Sequence, residues 1–124
     1  MTNPLALIIE DDEKLSTIFV QALKLAEFET EVVQDGNKAL KRLIEIIPAL
    51  VILDLHLPGV SGKDILRQIR GDNRLKETKI ILASADATMA QDLEKEADLV
   101  LIKPISFIQL RDLASRFRPF DPLD

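Results

Sequence analysis

Residues 50–59 read Leu-Val-Ile-Leu-Asp-Leu-His-Leu-Pro-Gly. Val51, Ile52 and Leu53 are continuous rather than alternating, as in a strand buried on both faces. Pro58 and Gly59 mark where the strand has given way to a loop. Asp54 therefore falls at the carboxyl end of a buried strand, where open α/β sheets place their ligand sites. Taken alone, Asp54 serves equally well as a plain turn former. Three further strand-like runs end in polar or charged groups, and they tilt the reading.

Upstream, the run Leu5–Ile9 breaks off into Glu10-Asp11-Asp12-Glu13. Leu15, Ile18, Phe19, Ala22, Leu23 and Ala26 follow at three- and four-residue spacing and predict the inward face of a helix. Acids in the first turn interact favourably with a helix's amino end. That accounts for Asp12 and Glu13 but not for Glu10 and Asp11. Glu29–Val33 alternates like an edge strand with one wetter face. In the turn Gln34-Asp35-Gly36-Asn37, Asp35 or Asn37 is placed to cap the next helix. Ala39, Leu40, Leu43, Ile44 and Ile47 predict that helix's inward face, with Pro48 ending it.

Downstream, Gly62–Arg70 predicts a third helix with Ile65, Leu66 and Ile69 inward, stopped by Gly71-Asp72-Asn73. Lys79–Ala83 is a strand that ends at Ser84. Thr88–Glu96 has room only for a short helix, with Met89 and Leu93 at helical spacing. Leu99–Ile102 is the fifth strand and runs into Lys103-Pro104. Ser106 is placed to cap a last helix carrying Phe107, Leu110, Leu113, Ala114 and Phe117 inward. Residues 118–124, with two prolines, are expected to fray.

Strands alternating with helices imply an α/β fold: a doubly wound parallel sheet of five strands, covered on both faces. Right-handed crossovers put every strand's carboxyl end on one edge. Glu10, Asp11, Asp54, Ser84 and Lys103 are thereby expected at a single rim.

Composition sets the bounds. A chain of 124 residues suits one domain, and 47 % hydrophobic residues supply a core. There is no cysteine, which excludes disulfides, thiolate metal sites and cysteine nucleophiles. That fits a cytoplasmic setting. No apolar run approaches a membrane span, and no basic-then-apolar leader opens the sequence. The formal charge of −5 argues against broad nucleic-acid binding by this domain.

Crowded carboxylates repel, and one holds a raised pKa unless a cation joins them. Magnesium is the natural cation, since it takes one or two carboxylates together with phosphate oxygens. Ser84 offers a hydroxyl donor and Lys103 a point charge suited to a phosphoryl oxygen. A carboxylate can itself attack phosphorus and form an aspartyl phosphate. Phosphoryl transfer needs mainly alignment and charge neutralisation, so this small set suffices.

Glu10-Asp11, Asp54 with Pro58-Gly59 behind it, Ser84-Ala85 and Lys103-Pro104, in this order and spacing, closely resemble a response-regulator receiver domain, and the resemblance spans residues 1–124. It implies a flavodoxin-like (βα)5 fold of strand order 2-1-3-4-5. It implies Asp54 as phosphoacceptor, with Asp11, Asp54 and the backbone carbonyl of His56 holding Mg2+ and Glu10 assisting through water. Ser84 and Lys103 would contact the phosphoryl group, and the Lys103-Pro104 bond would be cis. The phosphate donor would be a phosphohistidine on a sensor histidine kinase or histidine phosphotransfer protein. The domain would signal rather than act as a metabolic enzyme, switching a surface for an output partner. A phosphorylation-independent binding module is the alternative. Both a free-standing receiver and a piece of a longer regulator or hybrid kinase fit the sequence.

Two positions depart from the receiver pattern. Val100 stands where receivers often carry an aromatic switch residue, and it reads as a core valine. The segment from Ser84 to Lys103 is shorter than usual by about one helical turn, so the fourth helix is expected to be stunted. In receivers that helix, the fifth strand and the fifth helix form the common output and dimerisation face, so dimerisation there is less expected, leaving a monomer or weak dimer. The side chain of His56 reads equally as a loop histidine and as a group facing the phosphoryl site. Asp86 reads as an influence on attacking water or, somewhat better, as a cap of the short helix.

Overall fold

The structure is a computed structural model, and it describes residues 3–119. Five strands, β1 (Leu5–Ile9), β2 (Glu29–Val33), β3 (Leu50–Asp54), β4 (Lys79–Ser84) and β5 (Leu99–Ile102), form one parallel sheet of order β2-β1-β3-β4-β5. Between and after them run α1 (Glu13–Leu25), α2 (Gly36–Glu45), α3 (Gly62–Arg70), α4 (Ala87–Asp92) and α5 (Phe107–Ser115). Short 3-10 turns occupy Asn73–Leu75 and Glu94–Glu96.

The apolar run of β3 takes the centre of the sheet, and all its residues are buried. Its register sets Val51 between Leu7 and Ile80, and Ile52 between Ile8 and Ile81. Alternate side chains serve two cores. Leu7, Val51, Leu53 and Leu82 pack with Leu43, Ile65 and Ile69 from α2 and α3. Ile8, Leu50, Ile52 and Ile81 pack with Phe19, Leu23, Leu110 and Ala114 from α1 and α5. Each fully buried leucine or isoleucine contributes about 1.5–3 kcal/mol, so this double-sided burial fixes the height at which Asp54 emerges. As expected, β2 lies at an edge.

The helix starts follow their caps. Asp12, Asp35, Ser61, Asp86 and Ser106 each accept a backbone N–H from the first turn of the helix behind them.

Three details differ from the expected pattern. The second helix stops at Glu45, and Ile46 is already extended (φ −128°, ψ 159°). Arg74 donates to the carbonyls of Leu43 and Ile46, satisfying acceptors left free where the helix ends. Ile47 consequently lies beyond the helix, 61 % exposed, while Ile44, within it, falls outside the buried stripe formed by Ala39 and Leu43 and is 74 % exposed. Ile18 sits at the margin of the α1 stripe and is likewise exposed. The fourth helix is as short as anticipated, but Thr88–Glu96 is not one helix: α4 closes at Asp92 and a 3-10 turn follows. Of the tail expected to fray, Arg118 lies 3.4 Å from Glu27, and residues 120–124 lie outside the described residues.

Candidate functional site

The carboxyl ends of β1, β3, β4 and β5 bring the predicted residues together. Glu10 directly follows β1, and its N–H donates to the Val33 carbonyl of the neighbouring strand (3.0 Å). Asp54 and Ser84 are the last residues of β3 and β4. Lys103 directly follows β5, held to the sheet by its N–H on the Ser84 carbonyl (2.8 Å). The Lys103-Pro104 peptide is cis.

Lys103 joins the acids. Its Nζ donates to Glu10 Oε1 at 2.9 Å and stands 3.4 Å from Asp54 Oδ2. Glu10 Oε2 accepts the Asp12 N–H (3.2 Å), and Asp54 Oδ1 accepts the His56 N–H (3.1 Å). Glu10 is 1 % exposed and Asp54 4 %, whereas Asp11 opens to solvent. One oxygen from each of Glu10, Asp11 and Asp54 falls within 4.8 Å of the others.

The electrostatics follow from this crowding. Burial pushes the Glu10 carboxyl up to about 7; the ammonium of Lys103 pulls it back and the neighbouring Asp54 raises it further. Burial works against the Lys103 charge, but the hydrogen bond to Glu10 and the field of Asp54 outweigh it and raise its pKa. One ammonium thus faces more negative charge than it neutralises. The donor set is all oxygen and acidic, which fits a hard divalent cation such as magnesium.

The remaining expected positions divide. The side chain of His56 is exposed, as a loop histidine's is, and it is the backbone N–H that reaches Asp54. Val100 is half-buried and packs against the core, as a valine there should. Ala85 and Pro104 flank the rim, exposed. Ser84 is fully buried, and its hydroxyl is engaged with Asp86: it accepts the Asp86 N–H (2.9 Å) and donates to the Asp86 carbonyl (3.3 Å). Asp86 in turn caps α4.

Gly62 also supports the site. A β-carbon on Gly62 would overlap the Asp54 carbonyl oxygen and the Leu55 Cα. The start of α3 therefore presses backbone to backbone against the strand end that presents Asp54. A glycine at the first position of a helix, where it costs helix propensity, was the available signal. Gly62→Ala is expected to lower the unfolding free energy by about 1–3 kcal/mol, the range for overpacking, read as a lower denaturant midpoint.

A doubly wound sheet that gathers three carboxylates, a hydroxyl and an ammonium at its switch-side rim defines a receiver-type domain. Residues 6–115 match the response regulator receiver domain family, and the chain belongs to it. Members of this family are the signalling phosphoacceptors of two-component systems. Among its relatives is the DNA-binding response regulator MtrA of Mycobacterium tuberculosis, 32 % identical over 90 % of this chain and 48 % of MtrA. The chain spans about half the length of the curated relatives it matches. Among solved structures, a CheY-like receiver domain from Methylobacillus flagellatus superposes with a TM-score of 0.83 at 25 % identity, covering 94 % of this chain and all of that one. The receiver domain of the Pseudomonas aeruginosa sensor histidine kinase PA1611, solved with a magnesium ion coordinated in its active-site cleft, gives 0.83 at 22 % identity over 94 % and 98 % of the two chains. At that identity the likeness speaks to fold alone.

Proposed function

We propose that Asp54 is the phosphoacceptor, receiving a phosphoryl group from a phosphohistidine on a sensor histidine kinase or histidine phosphotransfer protein. The observation that carries this reading is the placement of Lys103 Nζ against both Glu10 and Asp54 beside the exposed Asp11. An Asp54 carboxylate oxygen attacks phosphorus, a P–O bond forms, and the P–N bond breaks with its electron pair leaving on the imidazole nitrogen. Lys103 meets the charge on the phosphoryl oxygens. The His56 N–H orients the carboxylate by holding Asp54 Oδ1. Asp11, Asp54 and the His56 carbonyl would hold magnesium, with Glu10 contributing charge through water. Bound magnesium supplies positive charge against the carboxylates and the incoming phosphoryl oxygens.

The outcome is a switched surface offered to an output partner, so the domain signals and does not turn over a metabolite. Its setting is the cytoplasm; among the described residues no helix is long and apolar enough to cross a membrane. Incubation with magnesium and acetyl phosphate tests the reading, with a phosphate-sized gain in intact mass expected. No gain on correctly folded protein contradicts it.

A pH dependence follows from Glu10. With its carboxyl at about 7, Glu10 holds a proton below neutrality in the metal-free chain, while a cation favours the unprotonated form. Magnesium affinity is expected to fall up to about tenfold between pH 8 and 6, measured by titration calorimetry. Glu10→Gln should flatten that dependence.

A further inference from the structure

The loop from β3 to α3 carries both backbone groups of His56, and the start of α2 holds this loop from outside. The N–H of Gly36, the first residue of α2, donates to the Pro58 carbonyl at 3.0 Å. Among the described residues, no other hydrogen bond ties the stretch from Leu57 to Val60 to another element.

The two segments also touch more closely than a hydrogen bond requires. A β-carbon on Gly36 would overlap the carbonyl carbon and oxygen of Val60. These are backbone atoms, and they cannot swing aside as the end of a flexible side chain can. Gly59 supplies a second point of contact. Its φ of +79° suits glycine, and a β-carbon there would lie 3.0 Å from Asn37 Nδ2. The start of α2 and the loop thus meet through glycine backbone on each side.

The two sides differ in firmness. Asp35 caps α2 by accepting the Lys38 N–H at 2.8 Å, and Ala39 and Leu43 bury the helix in the core. Residues 56–61 are exposed or half-buried. Crowding at the contact therefore displaces the loop rather than the helix. The two ends of the loop are fixed: the Leu55 N–H donates to the Ala83 carbonyl (3.3 Å), and the Gly62 N–H donates to the Leu55 carbonyl (3.3 Å). Movement is left to the residues between, and His56 is the first of them. Its N–H holds Asp54 Oδ1 at 3.1 Å. Magnesium demands near-ideal octahedral geometry, so a carbonyl offered to it tolerates little displacement. A shift on the order of 1 Å is enough to cost a reactive site heavily.

We propose that Gly36 is a positioning residue for the phosphoryl site: its bare backbone seats the loop at Pro58–Val60 and so sets where the His56 carbonyl meets magnesium. The inference rests on the metal reading given above, and it adds a residue on a separate element that sets the strength of metal binding.

Magnesium titration of the whole chain, followed by amide NMR, tests it. Gly36→Ala is expected to raise the magnesium dissociation constant about tenfold or more, the scale for losing a group that orients a metal ligand. The His56 amide resonance should also move before any metal is added. Asn37→Ala keeps the Gly36 contact and removes only the side chain against Gly59, so it should shift both readouts in the same direction by less. Leu23→Ala, in the core between α1 and the far face of the sheet, destabilises the chain without touching the loop and should leave both readouts unchanged. Unchanged affinity and an unmoved His56 resonance in folded Gly36→Ala overturn the proposal and leave the phosphoacceptor reading standing. An equal loss of affinity in Leu23→Ala overturns it as well, since destabilisation alone would then suffice. If Gly36→Ala does not fold, Asn37→Ala decides, and wild-type behaviour there overturns the proposal. Wild type that binds no magnesium overturns the metal reading, and the role of Gly36 falls with it.

Discussion

Asp54→Asn is expected to abolish the phosphate-sized mass gain while leaving the fold intact. The amide has no anionic oxygen with which to attack phosphorus, so the loss should be complete rather than partial. The fold should survive because the substitution preserves shape. The carbonyl oxygen can still accept the His56 N–H, and a buried negative charge beside Glu10 disappears. Removing that neighbour also relieves Glu10, so its carboxyl should ionise more readily. The variant is expected to be at least as stable as wild type near neutral pH. Intact mass with acetyl phosphate reads the first expectation and denaturant unfolding the second. A retained mass gain would show that another group accepts the phosphoryl.

Lys103→Met should produce the largest combined loss of stability and reactivity. The lysine is the cation between Glu10 and Asp54, both of which are buried. Taking one partner from a buried charge pair costs about 3–5 kcal/mol, because the other charge is left without compensation. Two facing carboxylates can reduce that cost by sharing a proton, which gives the loss a pH dependence. The Glu10 carboxyl, already raised to about 7 mainly by burial, rises further without the pull of Lys103. A carboxyl raised in the folded chain contributes stability that is present below its unfolded pKa and is lost as pH rises through the folded value. The deficit of the variant should therefore be small near pH 4 and grow through neutrality toward pH 8. Phosphoryl acceptance should fall on the order of 100-fold, the scale for losing one preorganised charge contact to the transition state. Urea unfolding at several pH values and the rate of mass gain check the two halves.

The positions of these groups could be read from the sequence because each follows a continuous apolar run. A continuous apolar strand announces where it ends, and Glu10, Asp54, Ser84 and Lys103 all stand at such endings. Right-handed connections then leave one rim for them to share. The engagement of the groups with one another was less accessible. Nothing in the spacing shows that the Ser84 hydroxyl is committed to Asp86, because the backbone and side-chain donors and acceptors within these three residues admit several local bonds. Nor does spacing show that the His56 contribution to Asp54 runs through its backbone.

Long-range closure was hidden for a similar reason. The helical period runs on past Glu45 to Ile47, and the carbonyls at the helix end are met by Arg74, far along the chain. Ile44 and Ile47 looked like core on periodicity but belong to the surface. Gly62 reads in the sequence as the ordinary start of a helix, since its role is defined by a backbone approach to Asp54 that only the folded arrangement reveals. The short fourth helix, by contrast, followed from counting residues between Ser84 and Lys103, because a chain segment cannot hold more turns than its length allows.

On the proposed function, the rim formed by Glu10, Asp11, Asp54 and Lys103 carries a phosphoryl group onto Asp54. Borohydride reduction of the acetyl-phosphate-treated, magnesium-loaded chain tests it most directly, because an acyl phosphate is reduced to the alcohol and unmodified aspartate is not. Peptide sequencing by mass spectrometry is predicted to find homoserine at position 54 and nowhere else. Homoserine at another acid, or none at all on folded protein, would contradict the account.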